Sequence, residues 1–134
     1  MAGGDDKGEG EDATEPVEPV ELNLDDMLVS PTAARFEGFE YSPDVDTSVF
    51  VTRTPPGKFV EIHVHPYAET FFLLRGRGRW TSGDTVVEME PDGVLIVPPN
   101  TPHGFRNIGD EPLLVVSTHE RGRIEQTFLG REPA

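Results

Sequence analysis

From residue 47 onward, apolar and polar residues alternate in short runs that end at glycine, proline or asparagine, the pattern of successive β-strands. Residues 47–54 open the series, with Val49, Val51 and Arg53 on one face, and Pro55-Pro56-Gly57 ends it. Residues 59–65 alternate next. Residues 69–75 carry Phe71-Phe72 and Leu73-Leu74, which predicts a strand buried on both faces. Gly76 and Gly78 then break the run, and Arg75, Arg77 and Arg79 alternate with Gly76, Gly78 and Trp80 in what reads as a solvated hairpin turn. Residues 85–90, 93–97, 112–119 and 123–129 complete the set. Strands at intervals of roughly 8–12 residues, with no helical segment between them, predict an all-β sandwich or closed barrel.

The chain before residue 47 reads differently. Leu22, Leu24, Met27 and Leu28 suit one helical turn, and Ala34-Arg35-Phe36 an opening strand. Residues 1–21 are Gly, Asp, Glu and Pro with no hydrophobic period, so they bury too little surface to offset the entropy of ordering. They are expected to form a disordered acidic tail ahead of one domain over residues 22–134. A length of 134 residues leaves no room for a second core. The 14 glycines and 13 prolines agree with a turn-rich, all-β chain.

Charge and composition exclude several function classes. The net charge is −14, and residues 1–26 hold ten of the 25 acids against a single base, Lys7. So acidic a chain repels phosphate backbones, so no nucleic-acid partner is expected. No stretch approaches the roughly 20 apolar residues of a membrane span. The acidic N-terminus does not resemble a secretory signal, which makes a cytoplasmic location the expectation. Cysteine is absent, so a bound metal must take nitrogen and oxygen ligands.

Those ligands are present. His63 and His65 stand one residue apart in an alternating run, so period two sends both rings to one face. Glu69 follows across Pro66-Tyr67-Ala68, a gap suited to a tight turn. His103 comes later in Pro98-Pro99-Asn100-Thr101-Pro102-His103, where three prolines stiffen the approach. Three imidazoles and one carboxylate make a site for a first-row divalent ion with coordination positions to spare. A solvated histidine pair with a surface carboxylate partner is the plain alternative. The apolar run after Glu69 speaks against it, because a buried unpaired carboxylate is costly.

Gly57, His63, His65, Glu69 and Gly76, at their spacings of five, one, three and six intervening residues, resemble the first cupin motif in full. Asp92-Gly93 through Pro98, Asn100, His103 and Asn107 are similar to the second. Asn100 stands where that motif has glycine, a place where asparagine tolerates a left-handed turn. Gly93 lies one residue nearer Pro98 than usual, as a swapped Asp-Gly order would give. The resemblance covers residues 45–120. It implies a double-stranded β-helix, or jelly-roll, barrel that holds one divalent ion per chain, Fe, Mn, Zn or Ni, on His63, His65, Glu69 and His103.

Alternation around these ligands predicts a mostly apolar pocket. Phe59 and Glu61 share a face with His63; Phe71 and Leu73 follow Glu69; Phe105 and Asn107 follow His103. Arg53 is a candidate for a substrate carboxylate or for a surface salt bridge. Two further candidates are catalytic: His119 as a proton shuttle or a solvated strand end, and Tyr67 at the pocket rim or as a barrel cap. The resemblance implies a small-molecule substrate and a homodimer, with residues 22–39 or the C-terminal strand contributing to the contact. An oxygenase-type enzyme is expected, with a non-redox isomerase, cyclase or lyase, or a non-catalytic binding module, as the alternatives.

Overall fold

The computed structural model describes residues 18–134. Most of the expected acidic tail, residues 1–17, therefore lies outside the described residues. Eleven strands follow in chain order: β1 Leu28–Ser30, β2 Ala33–Glu37, β3 Ser48–Thr54, β4 Phe59–Val64, β5 Glu69–Arg75, β6 Gly78–Ser82, β7 Thr85–Met89, β8 Val94–Val97, β9 His103–Asn107, β10 Leu113–His119 and β11 Thr127–Phe128. Leu24–Met27 forms a short 3-10 turn where one helical turn was expected.

The strands make two antiparallel sheets, one in the order β1-β2-β3-β10-β5-β8 and the other β11-β4-β9-β6-β7. The pairs β6·β7, β5·β8, β4·β9 and β3·β10 nest inside one another, alternating between the sheets. This is the jelly-roll arrangement. No helix among the described residues is long and apolar enough to cross a membrane.

Strand β10 shows how the interior is divided. Its inward residues run Leu113, Val115, Ser117, His119, all buried. Leu113 and Val115 belong to an apolar cluster with Phe71, Leu73, Trp80, Met89, Val97 and Phe105. Within it Trp80 stacks on Phe105 at 5.0 Å, and Phe71 meets Trp80 edge-on at 5.8 Å. The same strand ends on the polar side, where His119 is in register with Glu69. One end of the barrel is thus packed with apolar side chains and the other is left for ionisable ones.

Three local expectations are corrected. The Gly-Arg stretch is no solvated turn: Gly78–Ser82 is strand β6, and Trp80 is fully buried in the core. Its arginines lie outside, Arg79 with both its Nε and its Nη2 on Glu88 Oε2 at 3.1 and 3.0 Å, and Arg77 3.3 Å from the other oxygen. Strand β5 is buried on one face only, with Phe72 and Leu74 exposed. The expected C-terminal strand over 123–129 shortens to Thr127–Phe128.

A β-bulge in β4 settles which residues face inward. Val60 pairs with Phe105 and His63 with His103, so Glu61 and Ile62 together oppose the single residue Gly104. The strands come so close that a Cβ on Gly104 would lie 2.6 Å from the Val60 carbonyl oxygen. The extra residue reverses the parity, and Val60 replaces Phe59 and Glu61 on the face of His63. Phe59 is instead exposed, under the Arg106 guanidinium at 4.8 Å.

Candidate metal centre

The end of β4 carries His63, and His65 follows it before the turn over residues 66–68. Glu69 is the first residue of β5 and His103 the first of β9. The proline-rich loop before β9 is tied to the first ligand pair, because the Asn100 N–H donates to the His65 carbonyl at 2.8 Å. Asn100 takes the left-handed conformation with φ 59°, as expected of an asparagine standing for glycine. Asp92, at φ 76°, holds the left-handed position of the preceding turn, consistent with a swapped Asp-Gly order.

His63, His65, Glu69 and His103 are all buried, and their ligand atoms lie within 4.8 Å of one another. Each of the three imidazoles turns Nδ1 to a backbone carbonyl: His63 to Glu61 at 2.8 Å, His65 to Tyr67 at 2.7 Å and His103 to Thr101 at 2.8 Å. A carbonyl only accepts, so Nδ1 carries the proton and Nε2 of a neutral ring presents its lone pair to the centre. Glu69 Oε1 lies 3.0 Å from His65 Nε2, 2.9 Å from His103 Nε2 and 4.0 Å from His63 Nε2.

Four acceptors converging in a buried space need a cation among them, a proton or a metal ion. Burial alone would push the Glu69 carboxyl up. In the metal-free protein a proton shared with the His103, His119 and His65 rings outweighs it and holds the carboxyl well below the usual carboxylate range. Burial, and then the neighbouring His103, lower His63 to about 4, so its ring is neutral near pH 7. An ionised Glu69 and a neutral His63 suit a divalent ion, and a donor set of three imidazoles and one carboxylate fits one.

Glu69 has a second partner. Its Oε2 meets His119 Nε2 at 3.0 Å, and His119 Nδ1 meets the Tyr67 hydroxyl at 2.8 Å. His119 is buried, which removes the solvated strand end as a reading. Tyr67 neither reaches the pocket rim nor lines the cavity. It lies stacked on His65 at 4.3 Å and 8°, with the Arg121 guanidinium 5.2 Å from its ring.

A cavity of about 190 Å³ opens beside Glu69, His63 and His119. Its wall takes Phe71 and Phe105 from the expected pocket. The other expected members stand elsewhere. Leu73 is sealed in the apolar cluster. Asn107 donates from Nδ2 to the carbonyls of Thr54 and Glu111 at 2.8 Å each and pins a turn. Glu61 offers only its carbonyl, to His63. Arg53 points outward and is exposed, because Phe50 and Thr52 occupy the inward face of β3.

Sequence reasoning missed Val115 and Ser117 on β10, and Ala33, Phe50, Thr52, Val60, Gln126 and Phe128, in the cavity wall. Both faces of β3 carry β-branched or apolar residues, so alternation gave no parity for Phe50. Phe128 lies on β11, which pairs with β4 beside His63. The proximity of a C-terminal strand to that histidine has no local signal. Among the described residues the wall contains no lysine or arginine.

Comparison with known proteins agrees with this geometry. The family model described as "Cupin domain" matches residues 50–119. The H2HPP isomerase of Bacillus subtilis is 33% identical over 88 residues, covering 65% of this chain and 37% of that protein. The polyketide synthase CurC of Streptomyces cyaneus is 34% identical over 62 residues, 46% of this chain and 40% of that protein. The chain thus spans half or less of the length of these curated relatives. Among solved structures, oxalate decarboxylase of Bacillus subtilis, which has Mn(II) centres, superposes with a TM-score of 0.67 at 21% identity, covering 72% of this chain and 27% of that one. A deletion mutant of the same enzyme reaches a TM-score of 0.75 at 18% identity, covering 87% of this chain and 33% of that one. With its family motif, nested strand pairs and three-histidine, one-glutamate centre, the chain belongs to the cupin family.

Proposed function

We propose that this chain binds one divalent metal ion on His63, His65, Glu69 and His103 and acts as a metal-dependent enzyme of the oxygenase type on a small organic molecule. The observation that carries the reading is the convergence of three imidazole Nε2 atoms and one carboxylate oxygen beside an apolar cavity that His63 and Glu69 help to line. When bound, the ion supplies a Lewis-acidic centre with open positions for an oxygen donor of the substrate.

The residues of the chain do the rest. Phe71, Phe105 and Phe128 exclude water and hold an apolar substrate body, and the Nδ1–carbonyl bonds fix the three rings in place. At 190 Å³ the cavity falls below the about 300–1,000 Å³ of sites for drug-sized molecules, so the substrate is small. With no lysine or arginine among the described residues of the wall, the metal is the cation that would anchor an anionic or carbonyl group of the substrate.

A second reading is a non-redox isomerase or lyase. It is favoured by the His119 ring on the cavity wall, a group able to move a proton, and by the similarity to the H2HPP isomerase. Elemental analysis of protein purified without added metal tests the shared part: about one equivalent of a transition metal per chain is expected, and none refutes it. The iron-loaded protein should then consume oxygen with a panel of small phenols, diketones and oxo acids. Turnover that persists without oxygen after zinc replacement would favour the isomerase or lyase.

We also propose a homodimer. Phe72, Leu74, Val94 and Ile96 are exposed together on the outer face of the six-stranded sheet, and β8 is its edge strand among the described residues. A second copy is the occupant that such a face suits. This face is a candidate for the contact beside residues 22–39 and the C-terminal strand, where Leu28, Val29 and Phe128 are exposed as well.

A further inference from the structure

The Tyr67 hydroxyl has two partners, and for a neutral His119 ring they fix the protons on the path to Glu69. The Glu125 backbone N–H can only donate, and it reaches the Tyr67 oxygen at 3.1 Å. The single hydroxyl proton is therefore free to go to His119 Nδ1, 2.8 Å away. With Nδ1 accepting, the neutral His119 ring carries its proton on Nε2, which faces Glu69 Oε2 at 3.0 Å. The carboxylate demands the same tautomer, because a lone pair on Nε2 would oppose an anionic oxygen. Both ends of the chain of bonds agree.

The two oxygens of Glu69 consequently have different tasks. Oε1 lies among the Nε2 atoms of His65, His103 and His63, and Oε2 is taken by His119. We infer that His119 and Tyr67 are positioning residues that hold Glu69 as a one-oxygen ligand, keeping Oε2 off the metal and a coordination position open for substrate. The inference rests on the metal-site reading above. It gives His119 and Tyr67 a role as a unit that neither has alone: Tyr67 sets the tautomer, and the tautomer supplies the donor.

The backbone of Glu125 also joins this network to the segment that places Gln126 and Phe128 on the cavity wall. The position of the carboxylate is thus tied to the covering of the cavity through three hydrogen bonds.

The test uses full-length protein loaded with Mn(II) alone, with affinity measured by chelator competition and the ligand field by electron paramagnetic resonance. His119→Leu should weaken Mn(II) binding about 10- to 100-fold, the usual cost of losing an outer-shell partner, and change the zero-field splitting. His119→Gln, whose amide N–H reaches the place of Nε2–H, should restore both to within about threefold. Tyr67→Phe keeps the ring packing and frees the tautomer, and should fall between them; it serves as the test if His119→Leu does not fold. Wild-type affinity and spectrum in His119→Leu, or in Tyr67→Phe where that variant alone folds, would overturn the inference and leave the metal site standing. Failure of the wild-type protein to bind Mn(II), Fe(II) or Zn(II) would remove the metal site and the inference with it.

Discussion

The α-carbon of Gly104 faces the carbonyl of Val60 so closely that a Cβ would lie 2.6 Å from its oxygen, at the β4 bulge that turns His63 inward. The obstructing atom is backbone, so a side chain cannot swing away to make room. Gly104→Ala should therefore cost about 1–3 kcal/mol of stability and lower metal affinity as well, by displacing His63 against His103. Urea unfolding of the metal-free protein, with chelator titration of the loaded one, measures the two effects. A variant with wild-type values in both would show that the bulge does not depend on the glycine.

Removing a ligand should do more than removing its support. His103→Ala deletes an imidazole 2.9 Å from Glu69 Oε1 and leaves the Thr101 carbonyl without its donor. Metal affinity should drop by more than the about 10- to 100-fold expected of an outer-shell change. Equilibrium dialysis against a buffered metal followed by elemental analysis reads it directly, and retention of a full equivalent would exclude His103 as a ligand.

Acid should destabilise the metal-free protein in a defined window. The His63 ring titrates at 6.5 in the unfolded chain and at about 4 in the folded one, mainly because burial penalises the charged ring. Between those values the unfolded chain binds more protons, so this contribution to stability is complete above 6.5 and is lost as the pH falls toward 4. At one pKa unit per about 1.4 kcal/mol, the loss amounts to roughly 3 kcal/mol at most. Urea midpoints in the presence of a chelator should fall across this range, and His63→Gln should flatten the fall. Equal slopes in the two proteins would contradict the assignment.

The homodimer can be tested without touching the site. Ile96 is 66% exposed on the edge strand β8 and has little to lose in the monomer. Ile96→Glu should leave the unfolding transition nearly unchanged while converting a dimer to a monomer in light scattering. A wild-type monomer, or a variant that remains dimeric, would rule out this face.

What the sequence revealed depended on whether the signal was spacing or parity. His63, His65 and Glu69 were found because two consecutive strands, β4 and β5, and one short turn fix their separations along the chain, and Asn100 because a left-handed turn limits which residues fit. Phe59 and Glu61 were misplaced because alternation assumes an unbroken strand, and one bulged residue reverses every later assignment. The start of strand β6 was hidden by the run Gly76-Arg77-Gly78-Arg79, which suggests a loop until Trp80 is seen packed on Phe105. Phe72 and Leu74 made β5 look doubly covered, since a run of apolar residues does not distinguish an interior face from one awaiting a partner. The His119–Glu69 contact joins residues fifty positions apart through the β10·β5 register, which no local pattern encodes.

The nested strand pairs have a kinetic consequence. If the chain closes outward from the β6–β7 hairpin, the loop to be bridged grows with each step, and each closure shortens the effective loop of the next. Glu69 takes its place with the second pair, His103 and His63 with the third, and His119 with the fourth. A metal ion would then find no complete binding site on the early intermediates, so added metal should slow unfolding more than it speeds folding.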